Sequence, residues 1–238
     1  MSKLLSMFKR RANSPSCSIV VVAAGTASRM QGIDKMLAPL GDRPILIRTL
    51  QVFQQCPEVS EVVVVTREDL LIEISRLCKA YCLDKVSKIV VGGAERVLSV
   101  RAGLREVDRN AELIGIHDGA RPFLSRQVLS AVLRQAALSG AAAPAVPVND
   151  TIKRAQDGIV QETVDRSTLW AIQTPQVFQA DLIRAAVEQA CTDQAAITDD
   201  CSAVERLGMQ VVLTEGDRRN IKVTTPFDLV LGEAILSD

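Results

Sequence analysis

The feature that most constrains the fold is a short apolar run that leads directly into a loop of small residues. Ile19-Val20-Val21-Val22 is β-branched and shows no polar alternation, which is typical of a strand buried on both faces of a sheet. Ala23-Ala24-Gly25 then removes side-chain bulk, so that a ligand can lie against the backbone. Arg29 and Lys35 follow as cations. A buried strand, a small-residue loop and cations together predict a polyphosphate site.

Two familiar phosphate-binding motifs do not describe this loop. A P-loop requires Gly-Lys followed by Ser or Thr, but Lys35 stands between Asp34 and Met36. A dinucleotide fingerprint requires Gly-x-Gly-x-x-Gly, but positions 27 and 30 are Ala27 and Met30. The loop therefore belongs to another class of nucleotide site, or it is an ordinary first turn of an α/β domain with two solvated cations.

Apolar β-branched runs alternate with amphipathic segments along the chain. Strands are predicted at 61–66, 88–91, 113–116 and 210–214, and helices at 44–55, 68–82, 94–107, 126–137, 179–191 and from Thr225-Pro226 onward. This alternation predicts an α/β fold: a mostly parallel, Rossmann-like sheet with helices on both faces. In such sheets ligands bind at the carboxyl ends of the strands. Residues 17–238 are predicted to form a single domain.

The region after residue 140 has a different pattern. Ala141 to Val148 is small, apolar and contains two prolines, which predicts an edge strand. Residues 149–177 are predicted to form a protruding β-arm, and the only Trp, Trp170, lies on a stretch that need not pack on its own sheet. Asn220 to Val223 is predicted to be a short strand. An arm of this kind often crosses to a partner subunit, so a homodimer formed through 149–177 is expected.

Charge and composition limit the classes of function. The 28 basic and 28 acidic residues cancel, which argues against a nucleic-acid binder with a broad basic face. No apolar run approaches the ~20 residues of a membrane span, so no membrane association is expected. Residues 1–16 are predicted to be a basic, disordered leader. The six cysteines lack CxxC spacing, which favours free thiols and a cytoplasmic location.

Three further positions carry candidate ligand groups at predicted strand ends. Gly92-Gly93 with Ser99 can approach a flat base closely, or can simply form a tight turn. Asp118 suits Mg²⁺ or substrate hydroxyls, and Arg121 a phosphate, although the two can equally form a structural ion pair. Lys222 is a late cation that a solvated strand end would also explain. His117, the only histidine, is expected to be a packed residue rather than a base.

Seven motifs occur in the order found in one enzyme family: AAGTASRM with Lys35, GGAERVLSV, HDGARP, DTIKRA, VDRSTLWAIQTPQVF, ITDDCSAVERLG and EGDRRNIKVTTPFDL. With them the chain resembles the 2-C-methyl-D-erythritol 4-phosphate cytidylyltransferase family of the non-mevalonate isoprenoid pathway. The resemblance implies CTP and a polyol phosphate as substrates, and Mg²⁺ as cofactor.

The resemblance also implies roles for individual residues. Ala23, Ala24 and Gly25 would lie along the nucleotide, and Gly92, Gly93 and Ser99 would read cytosine and ribose. Arg29 and Lys35 would hold the triphosphate, and Asp118 would serve Mg²⁺ or substrate hydroxyls. Substrate contacts would come from Arg121, from Thr198 and Lys222 at the polyol phosphate, and from Thr151, Arg166 and Thr174 on the partner's arm.

Several alternatives stay open at this point. Ribitol 5-phosphate cytidylyltransferases share most of these motifs, and a non-catalytic nucleotide-binding module would share the loop. A sugar-1-phosphate nucleotidyltransferase fits less well, because the chain is short for one and lacks the second set of sugar-site motifs. The family loop often has Gly and Arg where this chain has Ala27 and Ser28, and Pro-Lys-Gln at Asp34-Lys35-Met36. The loop also looks one residue short, which leaves its phosphate contacts open.

Overall fold

The computed structural model describes residues 16–25 and 34–238, and it is organised around a mixed sheet of eight strands. The strands of the described residues are β1 (Cys17–Val22), β2 (Pro39–Leu40), β3 (Arg43–Pro44), β4 (Val59–Thr66), β5 (Val86–Val91), β6 (Leu113–Asp118), β7 (Ala141–Pro147), β8 (Lys153–Gln156), β9 (Ile159–Thr163), β10 (Trp170–Ile172), β11 (Gln176–Gln179) and β12 (Val212–Glu215). The α-helices are α1 (Ile45–Gln54), α2 (Leu71–Ala80), α3 (Arg96–Glu106), α4 (Arg126–Ser139), α5 (Ala180–Thr192), α6 (Asp200–Glu205) and α7 (Pro226–Ser237). Two 3₁₀ turns span Glu68–Leu70 and Arg166–Thr168.

The sheet is parallel except for two strands, β10 and β11. Strands β5, β4, β1 and β6 lie side by side and run parallel. β11 pairs antiparallel with both β6 and β7, and β10 extends the antiparallel pairing along β7. β12 runs parallel to β7 along Ala142–Ala145. The predicted α/β class with a mostly parallel sheet is confirmed.

Two hydrophobic cores cover the two faces of the sheet. Alternate residues of β1 point to opposite sides, as the two-residue period of a strand requires. Ile19 and Val21 pack with Leu50 and Phe53 of α1 and with Leu129 of α4. On the other face Val20 packs with helices α3, α5 and α6. Helices therefore lie on both faces, and the carboxyl ends of the central strands remain open.

Local sequence signals explain where several helices begin and end. The Ser125 hydroxyl accepts a hydrogen bond from Val128 N–H at the start of α4, and Gly140 ends that helix at φ 85°. Asp199 and Thr225 form capping boxes at α6 and α7, with Pro226 in the first turn of α7. None of the helices in the described part of the chain has the length and apolar character needed to cross a lipid bilayer.

Three local predictions for the C-terminal half are wrong. β7 is an inner strand, because β12 pairs with Ala142–Ala145 while β10 and β11 pair with the same strand in antiparallel fashion. Pro144 is tolerated because it stands at the break between β10 and β11, where only its carbonyl is used, by Gln173 N–H. Residues 220–223 are irregular rather than a strand. Trp170 pairs with Pro147 in the chain's own sheet, although its side chain is 46% exposed.

The protruding part of the arm is a hairpin. β8 and β9 form a separate two-stranded sheet joined by Asp157 and Gly158, both at positive φ. Every residue of these two strands is exposed, including Ile159 and Val160. The hairpin lies within the predicted arm 149–177, whereas β10 and β11, which fall in the same range, belong to the central sheet. The predicted leader lies outside the described residues, apart from Ser16.

Candidate active site

A cavity of about 510 Å³ lies at the carboxyl ends of β1, β4, β5 and β6. Eight of the residues predicted from sequence line it: Ala24, Gly25, Lys35, Gly92, Gly93, Ser99, Asp118 and Lys222. These residues come from five separate segments of the chain. Their convergence follows from the parallel sheet, which brings successive strand ends to one edge. Arg29, predicted to hold the triphosphate, lies outside the described residues.

The β5 turn approaches the β1 loop closely enough to require glycine. A Cβ added at Gly92 would lie 2.5 Å from Ala24 Cβ and 2.7 Å from Ser99 Oγ. The buried Ser99 hydroxyl accepts a hydrogen bond from Gly93 N–H at 3.1 Å. The turn therefore forms a flat wall of backbone and small side chains, which suits a planar base. Ala23 does not line the cavity, because its side chain is buried behind the loop.

Asp118 lies at the floor of the cavity among cations. Lys222 Nζ is 3.0 Å and Arg121 Nε is 3.4 Å from its Oδ2, and Arg96 Nη2 is 4.0 Å from its Oδ1. Burial would raise the pKa of this carboxyl, but the charges of Lys222, Arg96 and Arg121 outweigh burial and lower it below its ordinary value. Asp118 is therefore ionised at neutral pH.

Lys35 faces the same cluster of charges from the β1 side. Burial and the positive charge of Lys222 lower the pKa of Lys35, while Asp118 and Asp34 oppose that shift. The two lysines therefore repel one another across the cavity. A bound polyanion would relieve this repulsion, which is the electrostatic property expected of a triphosphate site.

Arg96 is a cavity residue to which sequence analysis gave no role. Its guanidinium binds Asp200 through two hydrogen bonds of 2.9 and 2.6 Å, and Asp200 is 1% exposed. Burial would lower the pKa of Arg96, but the charge of Asp200 raises it. The Gln176 side-chain carbonyl accepts hydrogen bonds from the backbone N–H groups of Asp200 and Cys201. Arg96 and Asp200 lie within two of the motifs given above, GGAERVLSV and ITDDCSAVERLG, but their pairing depends on the tertiary structure.

The floor beneath Asp118 is a chain of buried hydrogen bonds. Thr174 Oγ1 accepts from Asp118 N–H at 3.1 Å and lies 3.0 Å from His117 Nδ1. His117 Nε2 lies 3.2 Å from Arg121 carbonyl oxygen, so the network assigns the proton to Nε2 and the Thr174 hydroxyl as donor to Nδ1. Burial lowers the pKa of His117 to about 4. His117 is thus a packed, neutral residue, as predicted.

Two residues predicted to contact substrate, Thr174 and Arg121, make contacts at the floor of the cavity. Thr174 is 5% exposed, and its hydroxyl is hydrogen-bonded to Asp118 N–H and His117 Nδ1 of its own chain, so its contact with substrate stays a prediction. Arg121 donates to Asn220 carbonyl oxygen at 2.8 Å and contacts Asp118 from below. Val223 N–H also donates to Ala120 carbonyl oxygen at 2.8 Å. The Arg121–Asn220 and Val223–Ala120 hydrogen bonds together position the segment that carries Lys222.

Three other predicted contacts lie outside the cavity within this chain. Thr151 and Arg166 are exposed at the base of the hairpin, where Arg166 donates to Asn149 carbonyl oxygen at 2.6 Å. Thr198 is exposed just before the Asp199 cap. The N–H groups of Asp200, Cys201 and Ser202 at the start of α6 are already used by the side chains of Gln176 and Asp199, which leaves the exposed Thr198 as the group predicted to contact a ligand there.

A Mg²⁺ ion fits the cavity through Asp118. Magnesium is commonly held by one or two carboxylates together with substrate phosphates and water. Among the described residues no group of three or more His, Cys, Asp or Glu side chains is placed to bind a metal. Asp118 offers an ionised carboxylate, and within residues 16–25 and 34–238 the one ion-pair partner of its Oδ1 is Arg96, at 4.0 Å. The donor set therefore suits a cation that shares its coordination with a bound phosphate.

Comparison with known proteins identifies the family of the chain. Residues 17–238 match the family described as IspD, 2-C-methyl-D-erythritol 4-phosphate cytidylyltransferase. The enzyme of that name from Halalkalibacterium halodurans is 44% identical over 93% of this chain and 97% of its own. The one from Symbiobacterium thermophilum is also 44% identical, over 93% of both chains.

Solved structures of the same family are also similar to this chain. The 4-diphosphocytidyl-2C-methyl-D-erythritol synthase of Anaerococcus prevotii superimposes with a TM-score of 0.84 at 29% identity, covering 95% of this chain and 100% of that one. The cytidylyltransferase of Thermus thermophilus gives 0.78 at 33% identity, over 92% and 98% of the two chains. The chain therefore belongs to the 2-C-methyl-D-erythritol 4-phosphate cytidylyltransferase family.

Proposed function

We propose that this protein transfers CMP from CTP to 2-C-methyl-D-erythritol 4-phosphate, giving 4-diphosphocytidyl-2-C-methyl-D-erythritol and pyrophosphate. The observation that carries the proposal is the meeting of Lys35, Asp118 and Lys222 beside the glycine wall, in a chain of this family. A wall that suits a base and cations that suit phosphates line one cavity, as a nucleotidyl transfer requires.

The reaction needs charge neutralisation more than proton transfer. A phosphate oxygen of the acceptor attacks the α-phosphorus of CTP in line, the α–β phosphoanhydride bond breaks, and pyrophosphate leaves with the electron pair. The attacking oxygen is already anionic at neutral pH, so no general base is needed. Lys35 and Lys222, with Arg29 beyond the described residues, are proposed to hold the two anions together and stabilise the transition state.

Mg²⁺ is proposed as the cofactor, held by Asp118 and the triphosphate. When bound, it supplies positive charge to the phosphate oxygens. The ion pair between Lys222 and Asp118 is compatible with this role, because a ligand phosphate gives Lys222 a new partner. Ala24, Gly25, Gly92, Gly93 and Ser99 are proposed to contact the nucleoside. The close approach between Gly92 and Ala24 supports this assignment.

A homodimer is proposed to complete the acceptor side of the site. Thr151 and Arg166 lie outside the cavity of their own chain, at the base of an exposed hairpin. If the hairpin crosses to a second copy, these side chains can bind the acceptor there, while Thr198 and Lys222 contribute from the first copy. The exposed Ile159 and Val160 supply apolar surface for that contact.

A cytoplasmic location is proposed for the protein. All six cysteines are unpaired, and four of them are buried. Burial raises the pKa values of the Cys17 and Cys201 thiols, which keeps them protonated and unreactive. Free thiols of this kind fit a reducing compartment.

Pyrophosphate release tests the proposed reaction. CTP and Mg²⁺ are supplied with methylerythritol phosphate or ribitol 5-phosphate, and ATP, GTP and UTP serve as nucleotide controls. Release is expected with CTP and methylerythritol phosphate alone. Preference for ribitol phosphate would change the acceptor but keep the mechanism. Folded protein that binds CTP yet releases no pyrophosphate with either acceptor would contradict the proposal.

A further inference from the structure

The segment that carries Lys35 is attached to the sheet through one carboxylate. Asp34 Oδ1 accepts a hydrogen bond from Met36 N–H at 2.8 Å, which closes a turn around Lys35. Asp34 Oδ2 lies 2.6 Å from Nη1 of Arg67, the residue that follows β4. The Asp34 side chain is 12% exposed, and that of Arg67 28% exposed. One carboxylate thus both shapes the turn and ties it to the end of a core strand.

The position of Lys35 is electrostatically unfavourable for its positive charge. The charge of Lys222 acts on it across the cavity, and burial removes part of its hydration. The chain's remaining hold on this turn includes a backbone bond from Leu46 N–H to Met36 carbonyl oxygen at 3.1 Å. An additional fixed attachment is therefore needed most when no anion is bound, because a triphosphate would itself neutralise both lysines.

We propose that Asp34 and Arg67 are positioning residues for the nucleotide, forming a tether that holds Lys35 in its binding position before the triphosphate arrives. The inference rests on the proposed function, since it takes CTP as the ligand of this cavity. Without the tether, binding must also supply the free energy that brings Lys35 into place, which weakens affinity. Once CTP is bound, the Lys35 ammonium is held by the phosphates, so the chemical step is nearly unaffected.

The tether also predicts a specific pattern of kinetic effects. Asp34→Asn keeps an oxygen for Met36 N–H but loses the charge, and Arg67→Gln removes the partner. Each substitution is expected to raise the KM and Kd for CTP by about tenfold, which corresponds to about 1.4 kcal/mol, with kcat within about twofold of the original enzyme. The double variant is expected to bind CTP no more weakly than the weaker single variant, because both substitutions break the ion pair between Asp34 and Arg67. Arg67→Gln also removes the pair between Arg67 and Asp69, whose carboxylate is 64% exposed.

The experiment measures CTP binding by calorimetry, and steady-state kinetics, for four proteins: the original protein, the two single variants and the double variant. Thermal unfolding checks that each protein is folded. Glu73→Gln is the matched control, because it removes an exposed ion pair with Arg76 (2.8 Å) on α2, away from the cavity. The control is expected to leave Kd, KM and kcat unchanged. A structural role alone would lower the unfolding temperature of the Asp34 and Arg67 variants without changing Kd.

Three outcomes would overturn the tether. Arg67 lines the cavity. If it bound CTP directly, Arg67→Gln would weaken binding, while Asp34→Asn, which removes one of the two carboxylates that pair with the guanidinium, would leave binding unchanged or tighter. Additive losses in the double variant would mean two independent effects. Unchanged Kd in both single variants would leave no role for the pair. Calorimetry decides these cases even if the original protein releases no pyrophosphate, so failure of the reaction and failure of the tether are distinguishable.

Discussion

Asp118 is surrounded by more positive charge than it can neutralise. Lys35, Arg96, Arg121 and Lys222 all act on it or face it. Two neighbouring carboxylates are already paired, Asp200 with Arg96 and Asp34 with Arg67. The surplus positive charge is arranged before any ligand binds. A site of this kind stabilises charge on phosphate oxygens without having to reorganise during the reaction.

Removal of either lysine should therefore reduce catalysis far more than stability. Lys35→Ala and Lys222→Ala are each expected to lower kcat by about 10²–10³, as loss of one preorganised donor does elsewhere. The unfolding temperature should change little, because both side chains face the cavity. Lys88→Ala is the control, since Lys88 pairs with Glu106 at 3.0 Å outside the cavity. Unchanged turnover in both cavity variants would contradict the site assignment.

His117 should make stability depend on pH through its buried, neutral imidazole. Burial lowers its pKa to about 4 in the folded protein, whereas in the unfolded chain it titrates near its ordinary value of 6.5. Between these values the unfolded state binds more protons, so the free energy of unfolding rises with pH. The rise amounts to about 3 kcal/mol and is complete above pH 6.5.

Urea unfolding at several pH values checks this expectation. His117→Gln removes the titrating group, so the difference in stability between the original protein and the variant should shrink as the pH falls from 6.5 to 4. Comparison of the two proteins cancels the carboxylates that titrate in the same range. A difference that stays constant with pH would show that His117 is not buried as a neutral base.

At the scale of elements, sequence patterns predicted the parts that depend on local periodicity. The buried strands β1, β4 and β6 and the helices α1, α4 and α5 follow from apolar spacing and capping residues such as Ser125 and Gly140. The residues that line the cavity could be predicted because the parallel strands that carry them end at one edge of the sheet. What could not be predicted is long-range pairing: Arg96 with Asp200, Thr174 with His117, and β7 inside the sheet join segments far apart in sequence.

The hairpin is the element whose removal best tests the dimer. Replacement of residues 153–163 by a Gly-Gly linker is expected to leave the fold intact, because β8 and β9 pair only with each other among the described strands. The shortened protein should sediment as a monomer and should lose turnover, since Thr151 and Arg166 could no longer reach a second copy.

A double substitution in the hairpin tests the apolar contact without shortening the chain. Ile159→Ser with Val160→Ser keeps the hairpin and removes apolar side chains that are 67% and 55% exposed. The double variant should weaken the dimer measured by sedimentation, with turnover that recovers at high protein concentration. A shortened protein that is still dimeric, or a monomer that retains full activity, would contradict the proposed role of the hairpin.

The whole molecule combines a parallel nucleotide-binding half with a C-terminal half that supplies the floor of the site. Asp118 belongs to the first half, but the side chains that support or face it include Thr174 from the loop before β11 and Lys222 from the segment before α7. Catalysis therefore requires that both halves are folded together. The two hydrophobic cores, one on each face of the sheet, also draw on both halves, since Val177 and Phe178 of β11 enter opposite cores.

The position of β11 has a consequence for how the protein is made. β11 lies between β6 and β7 in the sheet, although it follows both of them in the sequence. β6 and β7 are synthesised one after the other, but they become linked in the sheet only when β11 inserts between them. The nascent chain cannot join β7 to β6 through β11 until about thirty more residues are synthesised. Resistance of stalled nascent chains to protease should therefore appear only once Gln179 has emerged. A fragment that ends at Asn149 should be degraded, because it lacks the strand that joins its last two.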